Sequence, residues 1–248
     1  MKDQRRVALV TGGMGGLGSA ICKRLAGEYD VVAMHSPGNA RVQAWLGERE
    51  SEGYRFDSQP VDVADFASCA AAVAAVRERH GPITVLVNNA GITRDASFRK
   101  MTPEAWQAVL RTNLDSMFNM SRQVIEDMLA AGWGRIVNIS SVNGQRGAFG
   151  QANYAASKAG IHGFTMSLAV EFGRKGITVN TVSPGYLRTA MVEKVPQDVL
   201  DSRILPEIPV GRLGEPDEIA QVVAHVASAR GGFINGADLS INGGQHMA

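Results

Sequence analysis

Residues 7–26 constrain the fold of this chain more than any other stretch. Val7-Ala-Leu-Val10 is a short apolar run, long enough for one buried strand. Thr11-Gly-Gly-Met-Gly-Gly-Leu-Gly18 follows without a spacer, and Ser19 to Ala26 reads as a helix. A strand that turns through glycines into a helix aims backbone N–H groups and a helix N-terminus at one point in space, where a phosphate binds. Gly12, Gly16 and Gly18 leave no side chain between backbone and ligand. The spacing is Gly-x-x-x-Gly-x-Gly rather than Gly-x-Gly-x-x-Gly, so the common dinucleotide fingerprint is not matched literally.

The rest of the chain repeats strand and helix in alternation. Strands are expected at Val31–Met34, Phe56–Val61, Val85–Val87, Ile136–Ser140, Thr178–Val182 and Asp238–Ile241. Helices are expected at Arg41–Glu50, Phe66–Arg79, Pro103–Leu129, through Tyr154 to Phe172, and at Asp217–Val226. Pro103 suits the first turn of its helix. Strands separated by helices imply a parallel sheet covered on both faces. With right-handed crossovers this gives an α/β, doubly wound Rossmann-like fold, with about seven strands. No linker or repeat interrupts the pattern, so residues 1–248 are expected to form one domain. Ligands in such a sheet bind outside the carboxyl ends of the strands.

A second cluster lies at the end of the fifth strand. Tyr154 and Lys158 stand four residues apart, so on a helix they share one face. Ser141 sits thirteen residues upstream of the tyrosine, just past the Ile136–Ile139 run. A free phenol has a pKa of about 10, and a fixed positive charge nearby favours the phenolate. Tyrosine then becomes a usable general acid, with a serine hydroxyl to hold the same substrate oxygen.

These motifs together resemble the short-chain dehydrogenase/reductase family along almost the whole chain. The resemblance rests on Thr11–Gly18, Asp62, Asn88-Asn-Ala-Gly91, Asn113, Ser141, Tyr154, Lys158 and Ser183-Pro-Gly185. Within the family the chain is most similar to the acetoacetyl-CoA reductases. The similar stretches are Ile92–Asp95, Phe98–Met101, Trp133–Ile136, Ser140–Gly144, Phe149–Gln151 and Asn242–Met247. The resemblance implies that Gly12, Met14, Gly16, Leu17 and Gly18 hold the cofactor phosphates. It places Asp62 and Val63 at the adenine and Asn88, Asn89, Ala90 and Gly91 along the cofactor cleft. Pro184, Gly185 and Thr189 complete that site. Asn113 kinks its helix and holds a water beside Lys158, and Lys158 also binds the nicotinamide ribose. Asp95, Lys100, Ser141, Phe149, Gln151 and Tyr186 are the implied substrate contacts. Ala148 departs from the glutamine expected before Phe-Gly-Gln in that group.

The resemblance implies NADPH-dependent reduction of a 3-oxoacyl thioester, acetoacetyl-CoA to (R)-3-hydroxybutyryl-CoA, which supplies polyhydroxyalkanoate precursor. The end of strand two favours NADPH over NADH, because His35-Ser-Pro-Gly-Asn-Ala-Arg41 contains no acid to repel a 2′-phosphate. Arg41 can pair with that phosphate and Ser36 can donate to it. Met14 and Gly15 stand where many NADPH-using relatives carry a basic residue. One alternative is a 3-oxoacyl-carrier-protein reductase of fatty-acid synthesis, whose partner is acidic; Met128–Trp133 offers it no basic residue. A second alternative, a non-catalytic cofactor-sensing protein, sits poorly with the retained tyrosine and lysine.

Net charge is +1, so nothing suggests a nucleic-acid or membrane surface. Five scattered histidines give no metal-ligand spacing. Cys22 and Cys69 fit buried thiols of a reducing compartment, and the charged start Met1–Arg6 carries no apolar leader, so a cytoplasmic enzyme is expected. The proline-bearing segment Tyr186–Pro216 is expected to be a lid over the substrate. Ala155, Ala159 and Gly163 form a small-residue stripe, and by resemblance the helices 103–129 and 152–172, with the last strand and tail, build a homotetramer.

Overall fold

A computed structural model describes residues 5–189, 192, 195 and 197–247. Its frame is one seven-stranded sheet in the order β3-β2-β1-β4-β5-β6-β7, with every pairing parallel. The strands are β1 (Arg6–Val10), β2 (Tyr29–His35), β3 (Asp57–Pro60), β4 (Ile83–Asn88), β5 (Gly134–Ile139), β6 (Ile177–Pro184) and β7 (Asp238–Ile241). The connecting helices include α1 (Gly16–Leu25), α2 (Val42–Ser51), α3 (Phe66–His80), α4 (Pro103–Leu110) and α5 (Ser116–Ala131). Beyond β5 come α6 (Val142–Arg146), α7 (Ala152–Phe172), α8 (Gln197–Val199) and α9 (Pro216–Ala227).

Strand alternation splits the core in two. Ala8 and Val10 of β1 join Ile21, Leu25, Ile219 and Val223 from α1 and α9 on one face. Val7 and Leu9 join Val73, Val76, Met120 and Val124 from α3 and α5 on the other. A parallel sheet is buried on both faces in this way, which is why its strands read as continuous apolar runs.

The expected helix at 103–129 is present but not regular. Thr102 caps its start, accepting from Ala105 N at 3.2 Å. A π turn at Arg111–Asp115 then separates α4 from α5 and carries Asn113 into the core. The short helix α6 was not foreseen, because five residues are too few to show a helical period. The segment after β6 is held at both ends: Arg188 N donates to Gly214 O at 2.8 Å and Gly214 N to Tyr186 O at 3.0 Å. Ala190, Met191, Glu193, Lys194 and Pro196 of the expected lid lie outside the described residues, as do Met1–Gln4 and Ala248 of the expected tail. No helix among the described residues is long and apolar enough to cross a membrane.

Candidate active site

The sheet reverses direction of growth between β1 and β4, and the two strand ends are tied to each other there. Thr11 Oγ1 accepts from Asn89 N at 2.9 Å and Ala90 N at 3.0 Å. Asn89 Nδ2 donates back to Thr11 O at 2.9 Å and Gly12 O at 3.2 Å. A cleft of about 700 Å³ opens above this junction.

The glycine turn forms one wall of the cleft, and its glycines are required by space. Gly12 has φ +62°, and a Cβ on it would meet Ala90 Cα at 3.1 Å. A Cβ on Gly18 would collide with the Gly12 carbonyl oxygen. No side chain caps the start of α1 and its first turn holds no acid, so its leading N–H groups face the cleft unopposed. This is an anion cradle built from backbone.

On the far side, β5 delivers Ser141 and α7 delivers Tyr154 and Lys158. Ser141 caps α6, its Oγ accepting from Asn143 N at 3.2 Å. Its hydroxyl also bonds to the Tyr154 phenol. Lys158 is 3% exposed, and its Nζ donates to Ile139 O at 2.8 Å. Its Nζ lies 5.6 Å from the Tyr154 ring centroid. Burial in low dielectric disfavours charge and pushes the Lys158 ammonium down to about 8.

The phenol departs from expectation. Burial raises the Tyr154 pKa above its ordinary value, the Ser141 hydrogen bond opposes that rise, and the Asp95 charge adds to it. The reason is that tyrosine and lysine are buried together. Desolvation is the largest influence on the phenol, and the Lys158 ammonium is bonded to the Ile139 carbonyl.

Gly12, Met14, Gly16, Leu17, Gly18, Ser36, Arg41, Asn89, Ala90, Gly91, Pro184, Gly185 and Thr189 line the cleft together with Ser141, Gln151, Tyr154, Lys158 and Tyr186. Other predicted residues are placed elsewhere. Asp62 and Val63 lie off the lining, Asp62 exposed with Oδ1 accepting from Ala64 N at 3.0 Å and Val63 buried against Asn119. Lys100 and Phe149 are exposed, Phe149 at 96%. Asp95 stands one bond behind the lining, accepting from Gln151 Nε2 at 2.8 Å.

Asn113 is fully buried behind the cleft. Its Oδ1 accepts from Ile92 N at 2.8 Å, and its Nδ2 donates to Ile92 O at 3.0 Å and Ser157 Oγ at 3.2 Å. The amide thereby fixes the loop that places Gly91. Asn88, read as a cleft residue, is corrected: it points into the core and donates to Asn138 Oδ1 at 2.9 Å. Successive strand residues face opposite sides, so Asn88 and Asn89 cannot both turn to the cleft.

The reading of the residues missed His35, Asn39, Ile92, Thr93, Val142, Asn143 and Leu187, all of which line the cleft. Each neighbours a recognised motif at a strand end, and that position was the only signal available. Trp45 also reaches the lining, while its Nε1 donates to Ser19 Oγ at 2.7 Å and its ring packs in the core. Among the described residues no group of three or more His, Cys, Asp or Glu is placed to hold a metal ion.

Known proteins resemble this chain in sequence. The family model for short chain dehydrogenases matches residues 6–200. An acetoacetyl-CoA reductase of Cupriavidus necator is 55% identical over 244 residues, covering 98% of this chain and 99% of that protein. An acetoacetyl-CoA reductase of Allochromatium vinosum is 51% identical over the same shares of each. A 3-oxoacyl-[acyl-carrier-protein] reductase of Pseudomonas aeruginosa is 40% identical over 249 residues, 100% of both chains.

Proposed function

The chain belongs to the short-chain dehydrogenase family, and from that premise we propose that it is an oxidoreductase reducing acetoacetyl-CoA to (R)-3-hydroxybutyryl-CoA. The single observation that carries this reading is the convergence of Ser141, Tyr154 and Lys158 on a cleft whose other wall is the glycine cradle. The identity of the thioester rests on relatives: those named acetoacetyl-CoA reductase reach 55% identity, against 40% for the carrier-protein reductase.

The residues present fit a nicotinamide dinucleotide. A Cβ on Gly12, Gly16 or Gly18 would be crowded by backbone or by Thr189, so the turn stays bare for a pyrophosphate. Ser36 and Arg41 would take a 2′-phosphate at the end of β2, with no acid between residues 35 and 41 to repel it. That arrangement supports NADPH over NADH. When bound, the reduced nicotinamide supplies the hydride for the ketone carbon.

The chain's own residues manage the oxygen. Tyr154, held neutral by burial, carries the proton that the ketone oxygen must receive. Ser141 has one proton to donate and would aim it at the same oxygen, stabilising charge as it develops. Lys158 brings a buried positive charge, which favours the phenolate left behind. Asn113 holds the Ile92 backbone and, through Ser157, the α7 turn on which Tyr154 stands.

A homotetramer goes with this reading. Phe66 and Phe118 stack at 5.9 Å while 46% and 54% exposed, and Met166 and Val170 stand exposed on α7 beside Ala159 and Gly163. Two separate apolar faces on the outer helices suit two interfaces with further copies. The free, buried Cys22 and Cys69 suit the reducing cytoplasm.

Initial rates test the proposal. Acetoacetyl-CoA and an acetoacetyl carrier protein are compared, each with NADPH and with NADH. The expected result is the highest kcat/KM with acetoacetyl-CoA and NADPH. A higher kcat/KM on the carrier protein would replace the substrate reading.

A further inference from the structure

The three consecutive residues Ile139, Ser140 and Ser141 are each bonded to α7. The Ile139 carbonyl accepts from Lys158 Nζ at 2.8 Å. Ser140 Oγ donates to the Lys158 carbonyl at 2.9 Å. The Ser141 hydroxyl bonds to the Tyr154 phenol. The middle residue has a further partner. His162, one helical turn beyond Lys158, places Nε2 3.0 Å from Ser140 Oγ.

Proton counting orients this contact. A hydroxyl has one proton, and that of Ser140 is committed to the Lys158 carbonyl. Its oxygen can only accept from His162, so Nε2 carries the proton. The same N–H faces Asp238 Oδ2 at 3.4 Å. That carboxylate is itself fixed: Ser183 Oγ donates to Oδ1 at 2.6 Å and Gln145 Nε2 to Oδ2 at 2.7 Å. Groups from α6, α7, β6 and β7 thus converge behind the end of β5.

We infer that His162 is a positioning residue for the reaction: through Ser140 it locks the Ile139–Ser141 strand end and so sets Lys158 and Ser141 relative to Tyr154. The inference rests on the reading of those three as the reacting groups. His162 touches none of the reacting atoms, and Asp238 fixes the face that His162 presents. Loss of the lock frees the Ile139 carbonyl to turn away from Lys158 Nζ. The ammonium then loses its acceptor and titrates at lower pH.

The test uses the full-length chain with His162→Leu, His162→Gln, Ser140→Ala and the His162→Leu/Ser140→Ala double variant. Glutamine presents an N–H near the position of Nε2 and leucine does not. The Leu variant should lose on the order of 10-fold to 10²-fold in kcat, the scale of a misplaced reacting group, with substrate KM nearly unchanged. The Gln variant should recover most of that loss. The double variant should be no worse than its worse single parent, because both cut one linkage. Multiplied losses in the double variant, or a Gln variant as impaired as Leu, would overturn the inference.

A readout without substrate separates this from the proposed function. The pH dependence of Tm contains the Lys158 titration, and in His162→Leu that step should move to lower pH. An unmoved step would sink the positioning role. Failure of the wild-type chain to reduce acetoacetyl-CoA would sink the substrate reading and leave this measurement intact.

Discussion

Lys158 Nζ is bonded to the carbonyl oxygen of Ile139 at 2.8 Å, so the buried ammonium is anchored to the end of β5 and not to the tyrosine one turn before it. A buried charge needs a partner, and here a backbone carbonyl serves. Burial is what raises the Tyr154 pKa and brings the lysine down to about 8; the carbonyl bond favours the ammonium and opposes that fall.

The pH dependence follows with a definite sign. The folded Lys158 pKa of about 8 lies below its ordinary 10.5. Below pH 8 the group is protonated in both states and its burial destabilises the fold. Between those values the unfolded chain binds more protons, so stability rises with pH. Activity should fall across the same range as the ammonium is lost. Tm measured for wild type and Lys158→Met from pH 7 to 11 checks the first claim: the Met variant should lead most at pH 7. A constant gap would contradict it.

Tyr154→Phe keeps the ring and removes the proton donor. Turnover should fall on the order of 10²-fold or more, the scale of general acid catalysis. NADPH affinity, followed by fluorescence titration, should stay near wild type. A Phe variant with undiminished turnover would exclude Tyr154 as the acid.

Arg41→Ala should raise KM for NADPH about tenfold or more, since a bond to an ionised group contributes roughly 1.5–3 kcal/mol. KM for NADH should barely change. An equal rise for both cofactors would show that Arg41, whose N–H is held by Asn39 Oδ1 at 3.0 Å, only shapes the loop.

Light scattering on the purified chain should give about four times 26.4 kDa. Phe118→Asp places a charge on the stacked Phe66–Phe118 pair and should halve that mass or reduce it further. A tetramer that tolerates the aspartate would move the interface elsewhere.

The parallel α/β architecture and the order of its elements were legible because each rests on local signals. Val7–Val10 and Val85–Val87 are apolar runs, as a sheet buried on both faces requires. The glycine turn was legible too, since its bare backbone excludes every other residue. The break at Asn113 was expected only through the family resemblance, and the helix α6 left no comparable trace. The π turn spans only Arg111–Asp115, and α6, five residues long, starts at the Ser141 cap.

The sequence by itself determined which residue types stand at the strand ends, and with them the cradle of Gly12–Gly18 and the Ser141, Tyr154 and Lys158 set. The tertiary structure alone decided which of them face the cleft and in what charge state. Asn88 turned to the core, Asn113 to a backbone loop, and Phe149 and Lys100 to the surface. Side-chain direction depends on sheet register and on how α6 and α7 pack, which no local pattern encodes. Charge state depends on burial: Lys158 and Tyr154 are covered only once the chain has folded, and that assembly sets the local dielectric.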